Sequence, residues 1–562
     1  MIVKMRHFDL VCVASEREAT IRRLRDLGVA HLDLASANGA EVVRAKAAEE
    51  DAIRAVRLIQ KARKAHPEDA HTRARSVEEI LAIDYDRETL KAAAERLERD
   101  IRRYEPYGDF DPELARQLIE KGVDIHALGG ETPLFPKELP PMRLRRMREK
   151  LSRIENRLAI DDEQLAECDD AFILRKFPAI RDAIAFSEAK ELLESHGAVS
   201  VLSGWIPVTK EKALLDDVSA TKAKDLFERT ESLGWGILLR DPAEGETPPT
   251  LIEPPRLFAP VKALFAGLGV APAYTESDVS VPFMCYFSLF FAMLVGDGAY
   301  GAIFLAATLF FRKKMPKSWF ILMTVFSSAT ILWGVLSNTW FGAGIPLLKN
   351  LPTVTWLADP SYNNMMLLCF TIGVSHLMLA RIWNGVCKWP DSTAVAEFGW
   401  AGILLMMYLV TNAIVGIFSG FPTWGYALGG ISIAAVFLFS VKPSELKTRG
   451  AELGMLPLNI MSALGDIISY VRLFAVGLAS VKVAENFNNM AIGLVEDANT
   501  WWMRALLALA MVAILVFGHI LNLMMAGLSI LVHAVRLNTL EFSNHKGITW
   551  SGIAFNPFKK SN

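Results

Sequence analysis

Several features by which soluble enzymes and nucleic-acid-binding proteins are recognised are missing from this sequence. It has only five cysteines among 562 residues, and they lack the spacing of metal ligands. The formal net charge is −2, so electrostatics give no reason to expect nucleic-acid binding. We therefore expect no metal site and no nucleic-acid partner. Reduced, structural thiols are expected at Cys12, Cys168, Cys285, Cys369 and Cys387.

Phosphate-binding and leader signals are missing as well. The sequence contains no glycine-rich loop of the Walker type and no grouping of a nucleophile with a base. We therefore expect no cofactor and no nucleotide hydrolysis by this chain on its own. The first residues, MIVKMRHFDLVCVASERE, lack the apolar core and cleavage site of a signal peptide. The N-terminal half is accordingly predicted to stay in the cytoplasm.

Charge is unevenly distributed along the chain, and its second half has long uncharged runs. Phe283–Phe311 contains one charged residue, Asp297, and neither Ser318–Phe341 nor Phe398–Val441 contains any. A bilayer span needs about 20 apolar residues, whereas soluble cores do not need runs of this length. We predict a cytoplasmic arm over residues 1–250, a linker over 251–280 and a membrane domain over 281–562.

The arm is predicted to be α+β, with two small α/β lobes joined by an antiparallel coiled coil. Alternation and turn residues predict these elements: strands Ile2–Val13 and Val29–Leu34 around a helix Ser15–Leu27 in the first lobe, and strands Val199–Ile206 and Gly234–Leu239 in the second. Three long polar helices are predicted between them, at about Glu41–Lys64, Val77–Tyr104 and Met142–Asp170. Their apolar seams are narrow, which is typical of a coiled coil.

The membrane domain is predicted to be an all-α bundle of about eight helices, the last two long and tilted. Lys and Arg favour cytoplasmic loops. They collect on one side only if Gly296-Asp297-Gly298 breaks the first apolar run into two short helices; one continuous span is the open alternative. The predicted basic loops are Arg312–Lys317, Arg381–Lys388, Lys442–Arg449 and Lys559-Lys560. Both termini would then be cytoplasmic, and the protein would be multi-pass in a prokaryotic plasma membrane.

Arg472 lies in the middle of the largely apolar segment Leu456–Val483. An arginine there costs about 2.5–3.5 kcal/mol on insertion scales. Helical spacing places Asp466, Ser469 and Arg472 on one face, together with Ser462. A polar stripe of this kind predicts a functional or ion-paired arginine.

A second polar stripe follows the last apolar helix, predicted from Trp501 to about Asn544. Its members are His519, Asn522, Ala526, Ser529, His533 and Arg536. A helix of this length spans about 65 Å, so it must tilt or project beyond the bilayer.

Two arginines at membrane depth predict a particular chemistry. A guanidinium stays protonated, so it cannot relay a proton, but it attracts a carboxylate and favours its charged form. A mobile carboxylate passing it would release its cation, and polar half-channels on either side would supply or remove that cation. Simpler interpretations remain open: Arg536 as a snorkelling side chain, Asp297 as a helix cap, and His376 and Arg381 as satisfied residues of the bundle.

Four motifs in matching order resemble subunit a of vacuolar-type ATPases, called subunit I in prokaryotic and archaeal complexes. They are Gly204–Pro207 (GWIP), Phe290–Gly301 (FFAMLVGDGAYG), Gly465–Ala475 (GDIISYVRLFA) and His533–Phe542 (HAVRLNTLEF). The resemblance covers essentially the whole chain. Two departures are the missing proline in Glu276–Ser280 and the absence of the acidic residue that some relatives carry shortly before the second arginine.

The resemblance implies a stator subunit that couples translocation of H⁺ or Na⁺ to rotation. Its implied partners are a proteolipid ring, peripheral-stalk subunits of the E/G type, a central-stalk socket subunit and the lipid bilayer. Arg472 and Arg536 would face the ring carboxylate. The ion pathway would comprise Asp466, Ser469, His519, Asn522, Ser529, His533, Glu541 and Asp297.

Two other classes of function compete with this interpretation. A secondary transporter or channel with a coiled-coil domain would show inverted repeats and broken helices. The sequence shows no repeat, and its one clear break is at Gly296–Gly298. A membrane-anchored scaffold would leave the two arginine-bearing stripes unexplained. The choice between H⁺ and Na⁺, and between pump and synthase, stays open.

Overall fold

A computed structural model describes residues 1–33, 39–65, 73–125, 135–215, 236–342, 354, 356–357, 362–442, 451–496 and 501–560. The fold is mostly helical and divides into two compact units. The N-terminal unit comprises residues 6–241 and 556–562, and the C-terminal unit comprises 1–5 and 242–555. Predicted loops over 443–449 and at Lys349 lie outside the described residues.

One four-stranded sheet organises the N-terminal unit. Its strands are β1 (Met5–Val13), β2 (Glu194–His196), β3 (Val199–Pro207) and β4 (Gly236–Arg240), in the order β2-β3-β1-β4. β1 pairs antiparallel with β4, with Asp9 opposite Leu238. On β1, Phe8, Leu10 and Cys12 alternate into the core. The prediction of two separate lobes is therefore wrong, because strands from both ends of the unit share this sheet.

The predicted strand Val29–Leu34 is also wrong over its described part. His31 forms only an isolated bridge with Trp205. The preceding helix, α1 (Arg17–Leu27), ends where predicted: Gly28 has φ 60° and donates its N–H to the carbonyl of Leu24. The left-handed Gly28 turns the chain at once, which leaves a short segment beside β3. The helix predicted after Pro207 is present over residues 208–215.

Long helices occupy the middle of the N-terminal unit. They are α2 (Ala40–Ala65), α3 (Val77–Tyr104), α4 (Pro112–Glu120), α5 (Leu144–Ala166), α6 (Asp170–Leu174) and α7 (Phe177–Leu192). Ser76 and Glu79 start α3 with a reciprocal capping box. Ile80 near the start of α3 shares a buried cluster with Leu165 near the end of α5, and Tyr104 at the other end of α3 packs with Leu144. α3 and α5 therefore run antiparallel. That they form a coiled coil stays a prediction.

Apolar helices make up most of the C-terminal unit. They are α8 (Val261–Leu268), α9 (Ser280–Val295), α10 (Gly298–Phe310), α11 (Lys317–Ser337), α12 (Asn363–Lys388), α13 (Thr393–Ile414), α14 (Thr423–Phe439), α15 (Ala451–Gly454), α16 (Leu456–Ile468), α17 (Val471–Glu496), α18 (Trp501–Ser529) and α19 (Ser543–Lys546). Within the described ranges, 5 helical runs are long and apolar enough to cross a membrane, and 6 if a bent pair counts as one span. Their length and composition are those of membrane-spanning helices. The eight-helix count stays a prediction.

The first apolar run is two helices rather than one. α9 and α10 are bent by 117° at Gly296–Gly298. Gly296 has φ 69°, and a Cβ on Gly334 of α11 would lie 2.2 Å from the backbone of Gly298. Glycine therefore permits both the turn and the close approach of α11. The interpretation with two short helices is the correct one.

Two long helical runs complete the C-terminal unit. One covers 456–494 and is interrupted at Ser469 and Tyr470, between α16 and α17. The other extends from Trp501 to Lys546, whereas the sequence predicted its end near Asn544. It is not a uniform α-helix: Ile530–Ala534 and Leu537–Phe542 are π-helical.

Candidate functional site

Tyr470, at the interruption before α17, fixes the position of the arginine that follows. Its ring is fully buried against Gly373 of α12, where an added Cβ would lie 2.6 Å from the ring. Its hydroxyl lies 2.8 Å from Nδ1 of His376, which is buried between the rings of Tyr286 and Phe542. Because Gly373 and His376 hold Tyr470 in position, the first turn of α17, which contains Arg472, is held in position as well.

Arg472 and Arg536 converge on one carboxylate oxygen of Glu541. Nη2 of Arg472 donates to Oε1 of Glu541 over 2.8 Å, and its Nε donates to the carbonyl of Ser469 over 3.0 Å. Nε of Arg536 lies 3.3 Å from the same Oε1. The Glu541 side chain is 4% exposed, whereas Arg472 is 23% and Arg536 53% exposed. The carboxylate is therefore buried behind two guanidinium groups that reach the surface of the unit.

The π-helical turn Leu537–Phe542 explains how Arg536 reaches Glu541. In a regular α-helix, residues five apart point about 140° away from each other around the axis. A π-helical turn closes with i→i+5 hydrogen bonds, which brings residues five apart onto the same side. Arg536 and Glu541 have this separation, and the turn lies between them. The sequence therefore encodes the pair through a local change of helical period.

Electrostatically the site carries two positive charges and one negative. Arginine cannot lose its proton in a protein, so both guanidinium groups stay charged. Oε2 of Glu541 is buried and has no hydrogen-bond partner among the described residues. With an unshared positive charge and exposed guanidinium donors, the arrangement can accept a further carboxylate from outside this unit.

A polar network lies toward the C-terminal end of this run. Oδ2 of Asp466 lies 3.0 Å from Nε2 of His545, and Nδ1 of His545 accepts from Nε of Arg381 over 3.2 Å. Arg381 also pairs with Glu397 at 3.1 Å, and Lys388 pairs with the other oxygen of Glu397 at 2.5 Å. A cavity of about 520 Å³ opens beside the network. Its polar lining includes Ser440, Asn459, Ser462, Asp466, Asn544 and His545.

A second polar network lies earlier on α18. The hydroxyl of Tyr300 lies 2.8 Å from Nδ1 of His519 and accepts from Nδ2 of Asn522 over 3.0 Å. Asn522 also donates to the carbonyl of Ser480 over 2.8 Å. Asn522 and Arg536 are 14 residues apart, or about 21 Å along a helix. The two networks therefore lie on opposite sides of the arginine pair along the run from Trp501.

The remaining predicted residues are placed differently. Asp297 is fully buried, accepts from the N–H of Ala299 over 2.8 Å and caps α10; its other oxygen accepts from the N–H of Gly342. Ser529 donates to the carbonyl of Met525 in its own helix. Nδ1 of His533 is buried without a partner among the described residues. Ser469 reaches Arg472 through its backbone carbonyl.

Sequence reasoning missed four residues of these networks: Tyr300, Glu397, Ser480 and His545. Glu397 immediately precedes the uncharged run Phe398–Val441, so its carboxylate at the edge of an apolar helix was a usable signal. His545 lies four residues after Glu541 on one helix, which is also a readable spacing. Tyr300 lies in the motif Phe290–Gly301, but neither it nor Ser480 reveals its partner in the sequence, because the partners come from distant helices.

The described residues around the arginine pair form no metal site, and the helix that carries Arg536 is not enclosed by the rest of the unit. Among the residues that the structure covers, no group of three or more His, Cys, Asp or Glu side chains could hold a metal ion. α18 exposes a continuous apolar surface. Its members include Leu509, Phe517, Met524 and Leu528, which are 64–69% exposed. A surface of this kind fits lipid or another apolar protein.

Known proteins show similarity along the whole chain, although no profile of a protein family matches it. The chain is 35% identical to the V-type ATP synthase subunit I of Borreliella burgdorferi over 384 residues, which cover 64% of this chain and 60% of that relative. It is 26% identical to V-type ATP synthase subunit I 1 of Treponema pallidum, with 100% of both chains covered. It is 24% identical to the A-type ATP synthase subunit I of Methanocaldococcus jannaschii over 73% of this chain and 64% of that relative.

Proposed function

Because the chain is a homologue of the proteins named V-type and A-type ATP synthase subunit I, we propose that it is the ion-translocating stator subunit of a rotary ATPase or ATP synthase. The observation that carries the proposal is the convergence of Arg472 and Arg536 on Glu541 within apolar helices. The chain does not hydrolyse nucleotide on its own; it couples H⁺ or Na⁺ movement to rotation of a proteolipid ring.

The arginine pair acts on a carboxylate that the ring carries. When this carboxylate approaches, the guanidinium groups favour its charged form, so it releases its cation. When it moves on, it takes up a cation from the other polar approach before it enters apolar surroundings, where its charged form is unfavourable. The arginines themselves carry no proton, so they separate the two polar approaches and prevent a continuous leak.

The two networks flanking the arginines support two half-channels. One approach uses the cavity of about 520 Å³ beside Asp466, where hydroxyl, amide and carboxylate oxygens offer sites to water or a cation. The other uses His519 and Asn522 with Tyr300. Ser469, Ser529, His533 and Asp297 belong to the proposed pathway as lining or supporting residues; in Asp297 both carboxylate oxygens already accept backbone N–H groups.

The N-terminal unit is proposed to hold the stator against rotation. Its long antiparallel helices offer surface to peripheral-stalk subunits, and the C-terminal unit faces the ring and lipid. A socket subunit of the central stalk completes the set of partners. Both chain termini are proposed to be cytoplasmic, in a prokaryotic plasma membrane.

Co-isolation tests the proposal against its competitors. The tagged chain is purified in mild detergent from its native membrane, and the accompanying proteins are identified by mass spectrometry. A stator subunit brings down a small proteolipid that forms a ring, together with nucleotide-binding subunits. A secondary transporter, a channel or a scaffold purifies without them, and that result would remove the proposed function.

A further inference from the structure

Glu541 differs from every other predicted pathway residue in its position. It lies behind the two arginines, is 4% exposed and contacts both through a single oxygen. The structure gives Arg472 two contacts, from Nε and Nη2, and gives Arg536 one, from Nε. A guanidinium has five N–H donors. Both arginines therefore retain N–H donors that can point away from Glu541.

We propose that Glu541 is the internal counter-carboxylate of the arginine pair: it keeps both guanidinium groups partly neutralised and oriented while a passing carboxylate binds and leaves. The inference rests on the proposed function, since it assumes a carboxylate that passes. The inference makes Glu541 a positioning residue for the two arginines. It does not make Glu541 a binding site for the transported ion.

Electrostatics explain why such a group is needed. Two guanidinium groups that share a site repel each other, and each is costly at membrane depth. Without Glu541, an arriving carboxylate would face both positive charges alone and would be held tightly. Binding that is too tight slows release, so rotation past the site would slow. With Glu541 in place, the visitor meets a smaller net positive charge and can leave.

The local backbone supports this role. The π-helical turn Leu537–Phe542 brings Arg536 and Glu541 together although they are five residues apart. π-helical turns are rare and occur often at functional sites. A regular α-helix here would separate the two side chains and leave Arg536 without its carboxylate. The π-helical turn is therefore required for the proposed role of Glu541.

Charge rescue tests the proposal in the complete complex, reconstituted into sealed vesicles. Glu541→Gln removes the charge with little change in shape, and ATP-driven ion uptake is expected to fall about tenfold, equivalent to roughly 1.4 kcal/mol. The double variant Glu541→Gln with Arg536→Gln restores the original net charge. Because Arg472 remains to meet the ring carboxylate, this double variant is expected to transport several times faster than Glu541→Gln alone and at about the rate of Arg536→Gln alone, which is measured as the reference for the loss of the second arginine. Glu485→Gln is the matched control, because Glu485 pairs with Lys482 at 2.7 Å on an exposed surface.

Each outcome decides between the alternatives. Normal uptake by Glu541→Gln, or a double variant no faster than Glu541→Gln, overturns the counter-carboxylate role, since an ion-relay residue cannot be rescued by removing an arginine. If Glu541→Gln does not assemble, recovery of assembly in the double variant supports the role and failure to recover contradicts it. Arg472→Ala is measured alongside: if it transports normally, the proposed function fails, whereas a failure of rescue alone leaves that function standing.

Discussion

At the scale of single residues, the position of Arg472 depends on buried polar side chains for which the structure describes one hydrogen-bond partner each. The hydroxyl of Tyr470 pairs with His376, and both side chains are fully buried. Removing one partner of a buried hydrogen bond leaves the other without compensation for its lost hydration. Tyr470 lies two residues before Arg472, so this buried bond also contributes to the position of the guanidinium.

Tyr470→Phe is expected to lower stability by about 1–3 kcal/mol, because Nδ1 of His376 loses its partner. Tyr408→Phe is the matched control. The hydroxyl of Tyr408 lies 3.0 Å from Oγ1 of Thr371 at an exposed position, and Thr371 also donates to the carbonyl of Leu367. The thermal midpoint of each purified variant in detergent is the measurement. Equal midpoints for the two variants would show that the Tyr470–His376 bond is not structurally important.

At the scale of helices, glycine determines how closely the first elements of the C-terminal unit pack. Gly298 of α10 and Gly334 of α11 meet backbone to backbone. Asp297 caps α10 at the same bend. The contact holds the bent pair against α11 and places Tyr300, in the first turn of α10, beside α18.

Gly334→Ala is expected to destabilise the protein by about 1–3 kcal/mol, the usual cost of an overpacked contact. The added Cβ would lie 2.2 Å from the backbone of Gly298, so the two helices must separate. Gly430→Ala is the control: Gly430 lies inside α14, and a Cβ there meets nothing within 4 Å. Thermal midpoints are expected to fall for Gly334→Ala only. A stable Gly334→Ala variant would contradict the tight packing of α10 on α11.

At the scale of the whole molecule, the chain forms two compact units with their own cores. Cys12 and Cys168 lie in separate buried clusters of the N-terminal unit. Burial raises the pKa of both thiols above its ordinary value. The reactive thiolate is therefore scarce at neutral pH, and access to it is closed.

Native labelling with a maleimide is expected to modify Cys387, which is exposed, much faster than Cys12 or Cys168. Single-cysteine variants and mass spectrometry give the rates. Since the pKa of each buried thiol is raised, its thiolate fraction should increase only at pH values above those usual for cysteine. Rapid labelling of Cys12 or Cys168 under native conditions at pH 7 would contradict the packing of the N-terminal unit.

Helices and turns that depend on neighbouring residues could be predicted from the sequence. Strand pairings and side-chain contacts that depend on distant residues could not. The helix Val77–Tyr104 could be predicted because its apolar residues follow a helical period, and the structure has the same bounds. The single sheet was not, because β1 pairs with β4 more than 200 residues later and alternation does not identify a partner. Sequence spacing placed Arg472 and Arg536 each on a polar stripe. It did not reveal that both contact Glu541, because a fixed helical period cannot anticipate a π-helical turn.

ATP-driven ion uptake by Arg472→Ala complexes tests the central claim most directly. Assembly is first verified by co-isolation of the ring, and uptake into sealed vesicles is then compared with that of the unmodified complex. The arginine mechanism predicts that coupled uptake is abolished while the complex stays intact, since Arg472 is the more buried of the two arginines and donates directly to Glu541, a place that the more exposed Arg536 does not fill. Uptake at the unmodified rate from an intact Arg472→Ala complex would contradict it.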